Sequence, residues 1–290
     1  MSNLATHKTT KAIVEKYGFN FTKSLGQNFL VDANVLNKIV DGAEINSEDI
    51  VFEIGTGIGT LTYELAKRAK KVVAIEIDSR LIPILKDTLS EFDNVNIINQ
   101  DILKVDLKAV VEEHAGNNPI KVVANLPYYI TTPIIMRFLE EGINLDSMVI
   151  MIQKEVADRI AAKPSTKEYG SLSVAIQYYA DSKIIAKAPK GAFVPSPNVD
   201  SSVLKISVKA DKEVDISNAE LFFDVVKGSF SKRRKTIINS LSTYGNFNKE
   251  IVGKALQMTG IDPQRRGETL TINEFASLSN MIDNLTKNSI

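Results

Sequence analysis

Ile50-Val51-Phe52-Glu53-Ile54-Gly55-Thr56-Gly57-Ile58-Gly59 is the stretch from which the rest of this chain can be read. Ile50–Gly55 is apolar on both faces and rich in β-branched residues, the pattern of a strand buried in a parallel sheet. Three glycines at a spacing of two then let the chain turn sharply and bring backbone close to a ligand, with no Cβ in the way. Thr60–Lys70 follows with helical periodicity. A dinucleotide fingerprint needs its third glycine three places after the second, and Gly59 comes only two after Gly57, which disfavours NAD. Taken alone, such a turn serves equally well as a plain strand-to-helix connection.

The same alternation continues on the C-terminal side of this stretch. Lys71–Ile77, Asn94–Gln100, Ile120–Leu126 and Met148–Gln153 read as further buried strands, with Ser79–Glu91 and Pro133–Glu141 as helices between them. The series is α/β, a doubly wound, Rossmann-like sheet. Val174–Ala180 and Lys183–Ala188, joined by Asp181-Ser182, read as an antiparallel hairpin that ends the sheet, and Ser202–Val208 as its last strand. Lys209–Asp215 is polar enough for a linker. Beyond it the apolar spacing turns helical in Leu221–Phe230, Thr236–Leu241, Ile251–Met258 and Ile272–Leu285. Residues 1–208 are therefore expected to form one domain and 209–290 a small all-helical one, a division that suits a chain of 290 residues.

Composition removes several chemistries. No cysteine is present, which excludes disulfides, thiolate zinc sites and cysteine nucleophiles. His7 and His114 are the only histidines, too few for a histidine-rich metal site, and no metal is expected. A reaction that asks little of acids and bases fits best, and transfer from a sulfonium is one, since its positive charge already activates the leaving group. No run approaches the ~20 apolar residues of a membrane helix. Met1 to Thr10 lacks the apolar core of a secretory signal, so a cytoplasmic location is expected. Formal net charge is zero, yet residues 1–30 hold four Lys against one acid, and Lys232, Arg233, Arg234 and Lys235 are consecutive. That run reads either as a phosphate-binding patch or as a solvated helix face.

Acids at the ends of successive strands mark a ligand edge. Glu76 ends the second strand, where a carboxylate takes both hydroxyls of a ribose. Asp101 ends the third, placed to accept from an adenine amine, with Ile77 and Ile102 as apolar walls. The alternative is that Glu76 and Asp101 cap the helices that follow. Asn125-Leu126-Pro127-Tyr128 ends the fourth strand. An adenine amine is a weak nucleophile because its lone pair is delocalised into the ring. Acceptors for both amine hydrogens, Asn125 Oδ1 and the Leu126 carbonyl, would localise that pair. Pro127 fixes the turn and Tyr128 offers a face to an extruded base. Phe193, on a loop stiffened by Pro195 and Pro197, reads either as a second clamp on that base or as a buried structural ring.

Between Lys23 and about Leu278 the chain resembles the ribosomal RNA adenine dimethyltransferases. The motifs are Ser24-Leu-Gly-Gln-Asn-Phe-Leu30, the Glu53–Gly59 loop, Glu76-Ile-Asp78, Asp101-Ile102, Asn125-Leu-Pro-Tyr128, Gln153-Lys-Glu155, Phe193-Val-Pro-Ser-Pro197 and Phe230-Ser-Lys-Arg-Arg-Lys-Thr236. The resemblance implies S-adenosylmethionine as cofactor, held by Gln27, Asn28, Leu30, Glu53, Gly55, Gly57, Glu76, Ile77, Asp101, Ile102 and Asn125. It implies Asn125, Leu126, Pro127, Tyr128 and Phe193 at the reacting adenine, with Phe193 stacked opposite Tyr128. Lys23, Lys232, Arg233, Arg234 and Lys235 are the expected RNA contacts. The partner it implies is the small-subunit precursor with its 16S rRNA, methylated twice on each of two adjacent adenines near the 3′ end by a monomeric enzyme. A large-subunit adenine methyltransferase of the antibiotic-resistance type and a non-catalytic assembly factor of the same fold are the competing readings.

Overall fold

The computed structural model describes residues 4–211 and 213–288, apart from the side chain of Lys23. The first half runs α1 (His7–Lys16), β1 (Phe29–Leu30), α2 (Ala33–Gly42), β2 (Ile50–Ile54), α3 (Thr60–Ala66), β3 (Lys71–Glu76), α4 (Ile82–Thr88), β4 (Val95–Asn99), α5 (Leu107–Ala115), β5 (Ile120–Asn125), α6 (Thr131–Glu140) and β6 (Leu145–Gln153). The second half runs α7 (Lys154–Ile160), α8 (Ser171–Tyr179), β7 (Ala180–Ala188), β8 (Phe193–Val194), β9 (Ser201–Val208), α9 (Ala219–Phe230), α10 (Ile237–Leu241), α11 (Lys249–Met258) and α12 (Ile272–Lys287).

Seven strands form one sheet in the order β4-β3-β2-β5-β6-β9-β7. From β4 to β6 the ladders are parallel, and β9 pairs antiparallel with β6. The chain lays β3 and β4 on one side of β2, then crosses back to lay β5 on the other. This reversal opens a crevice at the carboxyl ends of β2 and β5, the place where open α/β sheets take their ligands. All five residues of β2 are buried, as its two-sided apolar pattern requires. A separate two-stranded ribbon pairs Phe29 with Val194 and Leu30 with Phe193.

Two compact units emerge from the contacts. One joins the residues up to Ala157 with Ser182–Val208; the other joins Asp158–Asp181 with the residues from Lys209 on. A division at 208 alone is thus incomplete, because 158–181 belongs with the C-terminal helices. Val174–Ala180 is also not a strand: Ser171–Tyr179 is helical, and β7 begins directly at Ala180 without the expected turn at Asp181-Ser182. Val174 and Tyr178 lie in a core with Phe222, Val225 and Phe275, the Tyr178 and Phe222 rings being 5.4 Å apart. Helical backbone lets α8 offer both side chains to that core.

Several helices outside the expected set have ordinary local causes. Asp32 accepts hydrogen bonds from the Asn34 and Val35 amides at the start of α2, and Asp106 from the Ala109 amide at the start of α5. Val35, Leu36, Ile39 and Val40 make the buried face of α2. Among the described residues no helix is long and apolar enough to cross a membrane.

Candidate functional site

One cavity in the first unit is lined by the ends of β2, β3 and β5, the residues after β4, and the 25–30 segment. It gathers Gln27, Asn28, Leu30, Glu53, Gly55, Gly57, Glu76, Ile77, Asp101, Ile102, Asn125, Leu126, Pro127 and Tyr128. Elements up to ~100 residues apart in sequence converge here because the parallel register aligns their carboxyl ends: Glu53 sits beside Ala74 and Val123, and Ile54 beside Ile75 and Ala124.

The glycine turn shapes the floor. Gly57 has φ +57°, which disfavours any side chain, and a Cβ there would crowd the Phe29 ring at 3.1 Å. Glu76 is buried at the end of β3 and braces this turn: its Oε2 accepts from the Gly57 amide at 3.1 Å and Thr56 Oγ1 at 3.2 Å, its Oε1 from the Asp78 amide at 2.9 Å. Burial pushes its carboxyl up, and these donors oppose the shift. Glu53 is 1% exposed, and its Oε2 has no hydrogen-bond partner among the described residues. Burial, with the charge of Glu76 adding to it, pushes the Glu53 carboxyl up to about 8.

Asp101 is partly a turn residue, since its Oδ1 accepts from the Leu103 amide at 2.9 Å. Among the described residues its Oδ2 has only the ammonium of Lys104, at 3.9 Å. The loop that carries Ile102 is held from behind by Arg137 of α6, whose guanidinium donates to the carbonyls of Ile102 and Val105 and pairs with Glu141. Sequence spacing missed Arg137, although an arginine within the apolar run Ile134–Leu139 is a visible signal.

Asn125 closes β5. Its Nδ2 donates to the Asn28 carbonyl at 3.0 Å, which fixes the amide and leaves Oδ1 as its acceptor at the cavity wall. The Leu126 amide donates to the Met151 carbonyl at 3.1 Å, and the Pro127 carbonyl accepts from Thr131 Oγ1, so the Asn125–Tyr128 corner is anchored on two sides. Tyr128 is half-buried, with its hydroxyl 2.7 Å from Ser201 Oγ.

Gln27 lines the cavity, but both of its polar ends are engaged within the chain. Nε2 donates to Asp78 Oδ2 at 2.7 Å, and Oε1 accepts from the Thr22 amide at 2.8 Å. Asp78 also takes the Arg80 guanidinium, which in turn reaches Thr22 and the Asn20 carbonyl and lies over the Phe19 ring. The network straps residues 19–28 against the cavity. Phe193 departs from the expected clamp. It is 2% exposed, faces Leu30 across the ribbon, packs in the core beside Val35 and Val203, and is absent from the cavity lining. Both neighbouring strands bury it, and its structural reading is the one that holds in this structure.

The basic run lies in the other unit. Lys232, Arg233, Arg234 and Lys235 are all exposed in the turn between α9 and α10, not on a helix face. Arg233 donates to the Lys167 carbonyl at 2.5 Å, while Lys232, Arg234 and Lys235 have no ion-pair partner among the described residues. The side chain of Lys23 lies outside the described atoms. Among the described residues no acidic or histidine cluster could hold a metal.

Comparison with known proteins agrees with this geometry. The family model for ribosomal RNA adenine dimethylase matches residues 18–284. Ribosomal RNA small subunit methyltransferase A of Clostridioides difficile is 55% identical over 283 residues, 98% of each chain, and that of Bacillus pumilus is 56% identical over 97% of each. Among solved structures, a dimethyladenosine transferase from Plasmodium falciparum superposes with a TM-score of 0.75 at 26% identity, over 90% of this chain and 98% of its own. The 23S rRNA methyltransferase ErmE gives 0.68 at 26% identity, over 88% of this chain and 100% of its own. The chain therefore belongs to the ribosomal RNA adenine dimethylase family and is a methyltransferase of ribosomal RNA adenine.

Proposed function

We propose that the chain transfers methyl groups from S-adenosylmethionine to the exocyclic amines of two adjacent adenines near the 3′ end of 16S rRNA, within the small-subunit precursor. The observation that carries this reading is the convergence of Glu53, Glu76, Asp101 and Asn125 on one cavity at the point where the strand order reverses. The cavity fits a cationic nucleoside ligand. Its wall holds a buried carboxylate oxygen with no partner, its floor is crowded against any side chain at Gly57, and two further carboxylates stand at successive strand ends. S-adenosylmethionine supplies a methyl group already activated by its sulfonium.

In this reading the protein binds, orients and accepts hydrogen bonds. Glu76 presents its remaining lone pairs to the ribose hydroxyls while it keeps the glycine turn in place. Asp101 Oδ2 takes the adenine amine of the cofactor, with Ile77 and Ile102 against the ring. Asn125 Oδ1 and the Leu126 carbonyl accept from the two hydrogens of the target amine, steering its lone pair toward the donor. Tyr128, tethered through Ser201, stacks on the flipped base. Phe193 and Leu30 act behind the site, as the packed pair that sets the 25–30 segment. Lys232, Arg234 and Lys235 meet phosphates. The enzyme works as a monomer in the cytoplasm, where its RNA partner is assembled.

Small ribosomal subunits lacking dimethyladenosine, incubated with the protein and labelled S-adenosylmethionine, should acquire label at adjacent adenines near the 3′ end of their RNA. Label on large subunits instead would transfer the assignment to the other branch of the family.

A further inference from the structure

Among the described residues, five large apolar or aromatic side chains are strongly exposed: Ile77, Leu103, Tyr129, Val199 and Met258. Three of them, Ile77 at 47%, Leu103 at 37% and Tyr129 at 57%, line the same cavity. Apolar surface gathered at one concave place is surface awaiting a ligand. Ile77 already has a role as a wall of the adenine site, and Leu103 continues the wall that Ile102 forms. Tyr129 has none, and the family motif that ends at Tyr128 stops one residue short of it.

The two adjacent tyrosines are held differently. Tyr128 is tied through its hydroxyl to Ser201. The Tyr129 ring lies against the left-handed turn at Gly26, where a Cβ would stand 3.5 Å from its Cε1 and 3.6 Å from its Cδ1. Such distances are ordinary contact, so the ring packs directly on this turn, and glycine is required at 26 by its φ of +62°. Tyr129 lines the same cavity as Asp101 and Glu76, whose charges add to the upward push that burial gives its hydroxyl. The ring is thus beside the 25–30 segment and in the cavity that also holds the carboxylates assigned to adenine and ribose.

We propose that Tyr129 is an aromatic lid of the cofactor cavity, its ring laid over the adenosine of S-adenosylmethionine. This rests on the cofactor reading above and adds a binding residue to it. The position beside Gly26, in the cavity that Glu76 and Asp101 also line, favours the cofactor over an RNA base as occupant. A ring of this kind is a stacking surface that needs no hydrogen bond, so phenylalanine should replace it and alanine should not.

The chain contains no tryptophan, so Tyr129→Trp introduces a single tryptophan at the lid, whose emission is read by exciting it selectively over the tyrosines. Titrated with S-adenosylhomocysteine in the absence of RNA, that variant should change emission and saturate with the Kd that calorimetry gives. Tyr129→Ala should raise the Kd for S-adenosylhomocysteine about 5- to 20-fold, the range expected for losing one stacked ring, while Tyr129→Phe stays within about twofold of wild type. RNA affinity of the alanine variant should match wild type. A silent tryptophan together with an unchanged alanine Kd overturns the lid. If RNA binding weakens in that same variant, the ring belongs to the RNA and not to the cofactor. Wild-type protein that binds no S-adenosylhomocysteine would overturn the cofactor reading and the lid with it, whereas wild-type binding beside an unaffected alanine variant overturns the lid alone.

Discussion

Glu53→Gln should flatten the pH dependence of folding. The Glu53 carboxyl stands at about 8 in the folded protein, against 4.5 for an ordinary glutamate, because it is buried beside Glu76. Between those two values the folded state keeps a proton that the unfolded state releases. A raised pKa therefore contributes stability that is fully present below the ordinary value and is lost as pH climbs through the folded one. The slope approaches ~1.4 kcal/mol per pH unit, so from about pH 5 to about pH 7 the loss attributable to Glu53 is about 2–3 kcal/mol. Glutamine keeps the shape and cannot ionise, so its profile should be shallower by that amount. Some slope remains, since burial raises Glu76 as well. The assay is urea denaturation of the ligand-free protein across that range, compared at equal m-values. A cation placed at Glu53 Oε2 would bring the carboxyl down again, so saturating S-adenosylhomocysteine, which carries an ammonium, should flatten the wild-type profile too. Parallel profiles for wild type and variant would refute the reasoning.

Glu76→Gln should weaken S-adenosylhomocysteine binding by about 1.5–3 kcal/mol, the worth of charge-assisted hydrogen bonds, and an unchanged calorimetric Kd would remove Glu76 from the ribose. Asn125→Ala should lower single-turnover methylation ~10²–10³-fold at saturating cofactor with RNA affinity kept, by analogy with the loss of one preorganised catalytic hydrogen bond. Wild-type rates would leave Asn125 only as the partner of the Asn28 carbonyl. Replacing Lys232, Arg233, Arg234 and Lys235 by Gln should reduce the salt slope of RNA binding by about 0.7–0.9 per phosphate contact removed. Arg233, already spent on the Lys167 carbonyl, should contribute least, and equal slopes would leave a solvated turn.

Much of the catalytic unit is legible because β2 to β6 are buried on both faces, and the carboxyl ends of buried parallel strands form a single edge. Glu76, Asp101 and Asn125 follow from that rule, whereas Glu53 enters only through the resemblance to the family. Where it fails, local pattern is ambiguous. Ser171–Tyr179 is short, apolar and β-branched enough to pass for a strand, and as a helix it packs on Phe222 and its neighbours in the C-terminal core. Phe193 sits between prolines like an exposed clamp, yet pairing with Leu30, 163 positions away, buries it, and no local signal carries that contact. Arg137 and the Gln27–Asp78–Arg80 strap are tertiary by nature, since each acts on backbone or side chains supplied by another element.

The detour of residues 158–181 into the second unit has a consequence for synthesis. As the chain leaves the ribosome, α8 emerges before β7 and β9 and well before α9 to α12, so Val174 and Tyr178 wait for partners that are made some fifty to a hundred residues later. A protein cut after Val208 would keep every sheet strand and still carry an uncovered helix, prone to aggregate. Excising 158–181 together with the C-terminal segment, with Ala157 joined to Ser182 through a linker, is the dissection that removes α8 along with its partners.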